Sequence, residues 1–377
     1  MVNPLIKRPY KKLDKSHVIW FSESNSWIQL EKPAWYIYRN YSANIPADVI
    51  SQKISKYYRL NSAESKVFVN DIISEVQLLS RSTFHAPVTL PAEYHQSPVS
   101  CYSCRKYLFN LKTVEICYGS RSLEYTIHPS FAHLEVNSTK KPDFILEVFS
   151  PGKKFALKTG TGSWTEDDPG LLKRKLFIEL TNLIYGKDEK HWLSYIHGSA
   201  VSNGNESIIL TTECGAGKST LAALLCANGL KFVSDDYVPV DARFCKVYPF
   251  PAALSVKEGA MRVLEPFFRQ LKTAKVLRFK GSDKMVRYLP FPAEKDFYKP
   301  LPVRNLVFVK YDPGKPFLFR KIPVNEAIRR FHEEAWLSPN PSHAKKFLSW
   351  FPGVNCFELQ YSDSKKAIRK ILDIFQQ

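Results

Sequence analysis

"ESIILTTECGAGKSTLAALLCANGLKFVSDDY", residues 206–237, changes character three times within 32 positions. The apolar run around Ile208, Ile209 and Leu210 reads as a buried strand. "ECGAGK" (213–218) is a glycine turn, and "STLAALLCAN" (219–228) reads as a helix stopped by Gly229. "LKFVSDDY" (230–237) is a second strand that ends in Asp235 and Asp236. Strand, glycine turn, helix, strand is the local grammar of an α/β fold, and in such folds ligands sit at the carboxyl ends of the strands.

The chemistry of the turn follows from its backbone. Glycines let the N–H groups of Thr212, Glu213, Cys214, Gly215, Ala216 and Gly217 point inward at an anion, and the helix N-terminus adds about half a positive charge. On that basis Lys218 reaches the β- and γ-phosphates of ATP, Ser219 ligates Mg²⁺, and Thr220 completes the binding stretch. One departure stands out: the first glycine of G-x-x-x-x-G-K-[ST] is Thr212 here. Two adjacent carboxylates permit a division of labour, one serving the metal and the other accepting a proton from an attacking hydroxyl. The competing readings are a chance glycine turn and a solvated strand end.

Working outward, "AVSNGNESIILTT" (200–212) reads as a hairpin around an Asn-Gly turn, and "GLLKRKLFIELTNLIYG" (170–186) as an amphipathic helix. Residues 101–149 alternate in short segments, "RKYLFNL", "TVEICYG" and "LEYTIHP", which predicts β-structure. "PVNEAIRRFHEEAW" and "SDSKKAIRKILDIF" read as C-terminal helices, the second capped by Ser362 or Asp363. Residues 17–80 form a unit of their own. Two short strands flank a Ser-Glu-Ser-Asn-Ser turn, Pro33 and Pro46 each open a helix, and a third helix sets Phe68, Ile72, Val76 and Leu79 on one face. In the second helix, Val49, Ile50, Ile54 and Tyr57 fall at helical spacing. A hairpin plus three helices has the size of a winged-helix module. The polar stretch 83–100 reads as a linker. The predicted domains are therefore 1–82 and 101–377, the latter divided into a β-rich 101–190 and a core 191–377.

At 377 residues, 44% hydrophobic and 14% aromatic, the chain can fold as two or three domains. No apolar run approaches the roughly 20 residues a membrane span needs. The opening residues lack the apolar core of a signal peptide. Seven scattered cysteines fit reduced thiols, so a cytoplasmic protein is expected. Cys101 and Cys104 form a CxxC pair, but the sequence places no second pair or histidines at zinc-ligand spacing beside it. The net charge of +18 is densest from Lys257 to Arg287, which reads either as a solvated face or as an anionic partner's contact surface.

Together "HGSAV", the glycine turn and "SDDYVPV" resemble the P-loop core of the HPr kinase/phosphorylase family, and more closely its diverged peptide-kinase relatives. His197 precedes Lys218 by 21 residues, as in that family, and Asp236 matches its proton acceptor. "YPFPAALSVKEGA" (248–260) resembles a segment of the diverged relatives and puts Lys257 forward as a phosphate or substrate contact; "LPVRNLVFVKYDPG" resembles their later strand, with Arg304 near its start. The bacterial enzymes' segment for recognising HPr has no clear counterpart, which argues against HPr as substrate. "WIQLEKPAWYIYRNY" and "VFVNDIISEVQLL" resemble the PqqD-like domains that bind leader peptides. In that family the leader adds a strand to a small sheet.

The resemblance implies an α/β P-loop kinase core of the HPr kinase type behind a small winged-helix-like α+β PqqD-like domain. It implies ATP and Mg²⁺ as cofactors and a ribosomally made precursor peptide as partner. Its roles are Asp236 as base, Asp235 with Ser219 on the metal, and His197 orienting or neutralising. A homo-oligomer is compatible with it. Two other readings stand beside it. One is a nucleotide-binding adaptor that presents a peptide and transfers nothing, for which Thr212 is the support. The other is a nucleic-acid-binding ATPase, against which the third helix carries Glu64, Asp71 and Glu75 with only Lys66 as a base inside it.

Overall fold

The computed structural model describes residues 8–82, 88–89, 101–279, 285–292 and 296–376, and it is a mixed α/β protein with several sheets. Its chain divides into two compact units, Met1–His85 with Lys321–Cys356, and Ala86–Arg320 with Phe357–Gln377.

In the first unit three antiparallel strands, Tyr10–Leu13, Ser16–Phe21 and Ser26–Glu31, are joined in sequence order. The turn before Ser26 matches the Ser-rich punctuation of the sequence. Helices Lys32–Ser42, Ala47–Tyr58 and Ser62–Arg81 follow, the first with Pro33 in its opening turn. A capping box starts the third: Asn61 Oδ1 accepts from Glu64 N (2.8 Å) and Glu64 returns the bond to Asn61 N (3.1 Å). Its deeply buried stripe is Ser65, Val69, Ile73 and Val76, with Phe68, Ile72 and Leu79 packed at the margin. That is one position away from the predicted face, because the helix beds on both the sheet and the second helix. In the second helix Ile50 and Ile54 are buried, whereas Val49 and Tyr57 face outward.

The domain boundary differs from the sequence expectation. Residues 321–356, placed there in the 101–377 domain, join the N-terminal unit. Helix Val324–Glu334 buries Ala327, Ile328 and Phe331, and helix Pro341–Trp350 buries Ala344, Phe347 and Leu348. Phe347 meets Trp27 edge-on, with centroids 5.3 Å apart, and Asn25 Nδ2 donates to Leu337 O at 2.7 Å. Local periodicity announces the helices but not their distant partner. Phe347→Ala removes a fully buried ring from this contact, at a cost of about 3–5 kcal/mol. A lower thermal midpoint for tryptophan fluorescence of the N-terminal unit is the expected readout.

In the second unit one sheet orders its strands as Lys231–Ser234, Gly198–Ser202, Ser207–Thr211, Leu301–Tyr311, Lys246–Val247, Val238–Asp241 and Trp192–Ile196. Ser207–Thr211 is parallel to Leu301–Tyr311 and antiparallel to Gly198–Ser202. All five of its residues are buried, as the unbroken apolar run requires. Helix Lys218–Ala227 packs Leu221, Leu224 and Leu225 into the core beside this sheet. Asp363, rather than Ser362, caps the last helix, Ser364–Ile374.

A second sheet runs Val88–Thr89, Ser163–Glu166, Phe155–Lys158, Phe144–Phe149, Lys112–Tyr118 and Ser103–Phe109. The third segment expected as β-structure, "LEYTIHP", is helical instead, over Arg121–Ile127, where Ser120 caps the first turn. Of the expected linker 83–100 only residues 88 and 89 are described; they pair with Ser163–Glu166, and the rest lies outside the described residues. Cys104 and Cys117 face each other across adjacent strands of this sheet, Cα atoms 4.1 Å apart, and form a disulfide. This corrects the expectation of seven reduced thiols: the register, invisible in the spacing of the cysteines, brings two of them together. Among the described residues, no helix is long and apolar enough to cross a membrane.

Candidate functional site

Strand Ser207–Thr211 delivers the chain into the turn 212–217, and helix Lys218–Ala227 leaves it. The turn closes on two glycines with left-handed backbones, Gly215 (φ 93°) and Gly217 (φ 95°), the latter at the helix N-cap. At Gly217 there is also no room: a Cβ would lie 3.0 Å from Tyr311 Cβ and 3.1 Å from the Tyr361 hydroxyl. Thr212 has φ 156°, an angle glycine takes more readily than threonine, which is where the motif departs from its usual glycine. Glu213 and Cys214 are exposed; Ala216 accepts from Tyr311 N at 2.9 Å, tying the turn to the neighbouring strand.

Lys218 is buried, and its ammonium donates to the carbonyls of Thr212 and, at 2.9 Å, Glu213. The cation is thus held inside the turn by its own backbone. Ser219, one residue on, hydrogen-bonds Asp235.

The two aspartates, adjacent in sequence, occupy opposite environments. Asp235 is buried and accepts from Ser199 Oγ (2.6 Å), Ser219 and the backbone N–H of Ser255 (3.2 Å). Asp236 is exposed and has a left-handed backbone (φ 60°). Ser255 Oγ donates to Asp236 Oδ2 at 3.2 Å, so one serine links both carboxylates. Burial, and then repulsion from Asp236, push the Asp235 carboxyl up to about 7, against the pull of its hydrogen bonds.

The sign of the resulting pH dependence is fixed. A pKa raised on folding means the folded chain holds the proton more tightly than the unfolded one. The associated stability is complete below the ordinary aspartate value of about 4 and is lost as pH rises through about 7. Thermal midpoints of the ligand-free protein should fall across this window, and Asp235→Asn should flatten the fall. A slope unchanged by the substitution would assign the titration to another group.

His197 lies at the junction of strands Trp192–Ile196 and Gly198–Ser202, and its carbonyl accepts from Thr211 Oγ1 at 3.0 Å. It therefore stands at the mouth of the turn. Gly198 beside it permits the crossing, since a Cβ there would sit 2.6 Å from Leu210 O. Lys257, at the end of strand Leu254–Lys257, brings its ammonium 3.4 Å from Cys214 Sγ. The sequence-predicted residues other than Arg304 thus gather around one end of one sheet, Thr220 by its place in the helix alone. Two were missed: Ser199 and Ser255, which hold the aspartates. Both lie inside the quoted stretches "HGSAV" and "AALSVKEGA", but serines in strands carry no spacing signal.

Arg304, in contrast, pairs with Glu206 (2.7 Å) beside the start of Ser207–Thr211, the end away from the turn. Of the basic stretch 257–287, residues 280–284 lie outside the described residues. Arg287 pairs with Glu258 at 2.6 Å, while Arg262, Arg269, Lys272, Lys275 and Arg278 are exposed.

No protein-family model matches the chain, and no curated protein matches it.

Proposed function

We propose that the chain is an ATP-dependent kinase that phosphorylates a hydroxyl or the C-terminus of a ribosomally made precursor peptide. The observation that carries this reading is the convergence of a buried lysine in a glycine turn, a Ser219–Asp235 pair, and an exposed second carboxylate at one end of one sheet.

The residues fit the two implied cofactors. The N–H groups of 213–217 and Lys218 would hold the phosphates of ATP, with Lys257 at the rim. Ser219 and Asp235 would hold Mg²⁺, both being oxygen donors suited to a hard cation. When bound, the nucleotide supplies the phosphoryl group and the metal neutralises its charge.

The remaining steps belong to the chain. Asp235, buried and accepting three hydrogen bonds, is placed to serve the metal rather than to meet a substrate. Asp236, exposed and oriented by Ser255 Oγ, takes the proton of the acceptor hydroxyl as it attacks. Lys218 shifts its donors from the loop carbonyls to the charge that develops on the transferred group. His197, at the mouth, orients or neutralises.

The N-terminal unit supports the same reading from another side. Its small sheet ends in the outer strands Tyr10–Leu13 and Ser26–Glu31, and a leader peptide that adds a strand gains main-chain hydrogen bonds along such an edge. The deciding experiment measures phosphate transfer from labelled ATP to precursors with and without their leaders. Transfer that is strong only with the leader supports both parts. ATP binding without transfer to any peptide would favour the second reading, a nucleotide-binding adaptor, for which the angle at Thr212 is the specific observation.

A further inference from the structure

Away from the glycine turn, the second sheet of the same unit carries a sulfur cluster that the kinase reading does not use. Cys101, Cys104 and Cys117 form, among the described residues, the one group of three or more potential metal ligands, and their sulfur atoms all lie within 4.8 Å of one another. Strand pairing builds it. Cys104 on Ser103–Phe109 is opposite Cys117 on Lys112–Tyr118, and Cys117 is in turn beside Glu147 on Phe144–Phe149. Cys101 reaches the same spot from just ahead of the first strand. The cross-strand disulfide joins two of these sulfurs, and Cys101 brings a third to the same place.

We propose that Cys101, Cys104 and Cys117 bind a zinc ion when the Cys104–Cys117 bond is reduced. Zinc–sulfur bonds of about 2.3 Å in a tetrahedron set the sulfurs roughly 3.8 Å apart, within the 4.8 Å span of the present cluster. Three protein ligands leave the fourth vertex for water, and the Glu147 carboxylate, now paired with Lys158 at 3.3 Å, stands beside Cys117 to accept that water's hydrogen bond. The chemistry balances. A dithiol reductant gives two electrons and two protons to the Cys104–Cys117 bond and becomes a disulfide itself. Zn²⁺ then displaces the protons of the three thiols as the Zn–S bonds form. A disulfide oxidant reverses the order. It takes two electrons from the Cys104 and Cys117 thiolates and two protons from water to become a dithiol. Cys101 regains its proton, the ion leaves and the Cys104–Cys117 bond re-forms. The spacing of Cys101 and Cys104 alone does not suggest this site, because its third ligand lies 13 residues beyond Cys104 and is delivered by a hairpin.

The test uses the full-length protein, reduced under inert gas, with Co²⁺ as spectroscopic probe and Zn²⁺ measured after dialysis. The expected result is one metal per chain, with sulfur-to-cobalt charge-transfer absorption, and no retention by the oxidised protein. Cys101→Ser, at an exposed position outside any strand, should weaken zinc by more than the roughly 10–100-fold that loss of a supporting contact costs, with an unchanged circular dichroism spectrum. Cys226→Ser should bind like wild type. Absence of cobalt–thiolate absorption in the reduced wild type, or equal zinc retention by Cys101→Ser, would overturn the proposal.

Discussion

Asp236→Asn is expected to bind ATP·Mg²⁺ about as tightly as wild type and to transfer phosphate about 10²–10⁴-fold more slowly, the contribution of a general base. The substitution is nearly isosteric and falls on an exposed residue, so folding should be unaffected. An asparagine can keep the bond from Ser255 Oγ through its carbonyl oxygen, and the cage around Asp235 is untouched. What is lost is the capacity to take up a proton, together with the charge that repels Asp235. Titration calorimetry with nucleotide and a single-turnover transfer assay on the same sample separate the two quantities. Should Asp235→Asn abolish transfer while retaining metal-nucleotide binding, and Asp236→Asn prove mild, the two carboxylates would exchange roles.

Lys218→Ala is expected to cause the broader loss, with nucleotide affinity and turnover falling together. A preorganised donor facing charge that develops in a transition state is worth roughly 10²–10³ in rate, and this one is also a buried cation. Among its partners are the carbonyls of Thr212 and Glu213, which belong to a half-buried and an exposed residue and can be solvated after truncation. The variant should therefore stay folded by circular dichroism. Wild-type-like turnover in a folded Lys218→Ala protein would sink the phosphate-binding reading of the turn.

The parts of this structure that could be read from the chain share a physical character: they are local. The strand–turn–helix around Lys218 depends on glycines, an apolar run and a stop signal within about 25 residues, and each element lies where its pattern puts it. The hairpin 198–211 and the prolines opening the N-terminal helices are of the same kind. What could not be read depends on register or on distant packing. Ser199 reaches Asp235 only because strand Gly198–Ser202 lies against Lys231–Ser234. Cys117 meets Cys104 by strand pairing. Asp235 is buried and Asp236 exposed, a difference that no spacing rule assigns to one aspartate over the other. Helices 324–334 and 341–350 were legible as helices, while their place against Trp27 was not.

That last placement has a consequence for biosynthesis. The N-terminal unit is assembled from residues 1–85 and 321–356, so 235 residues separate its two pieces. At roughly 5–20 residues per second, the first piece waits about 10–50 s on the ribosome before its complement is made. Through that interval Trp27 lacks Phe347, and the face that will receive the two late helices stays open to water or to a chaperone. A chain stalled before residue 321 should therefore show a protease-sensitive N-terminal unit, and one released after residue 356 a resistant one. The module that comes first off the ribosome is among the last to close.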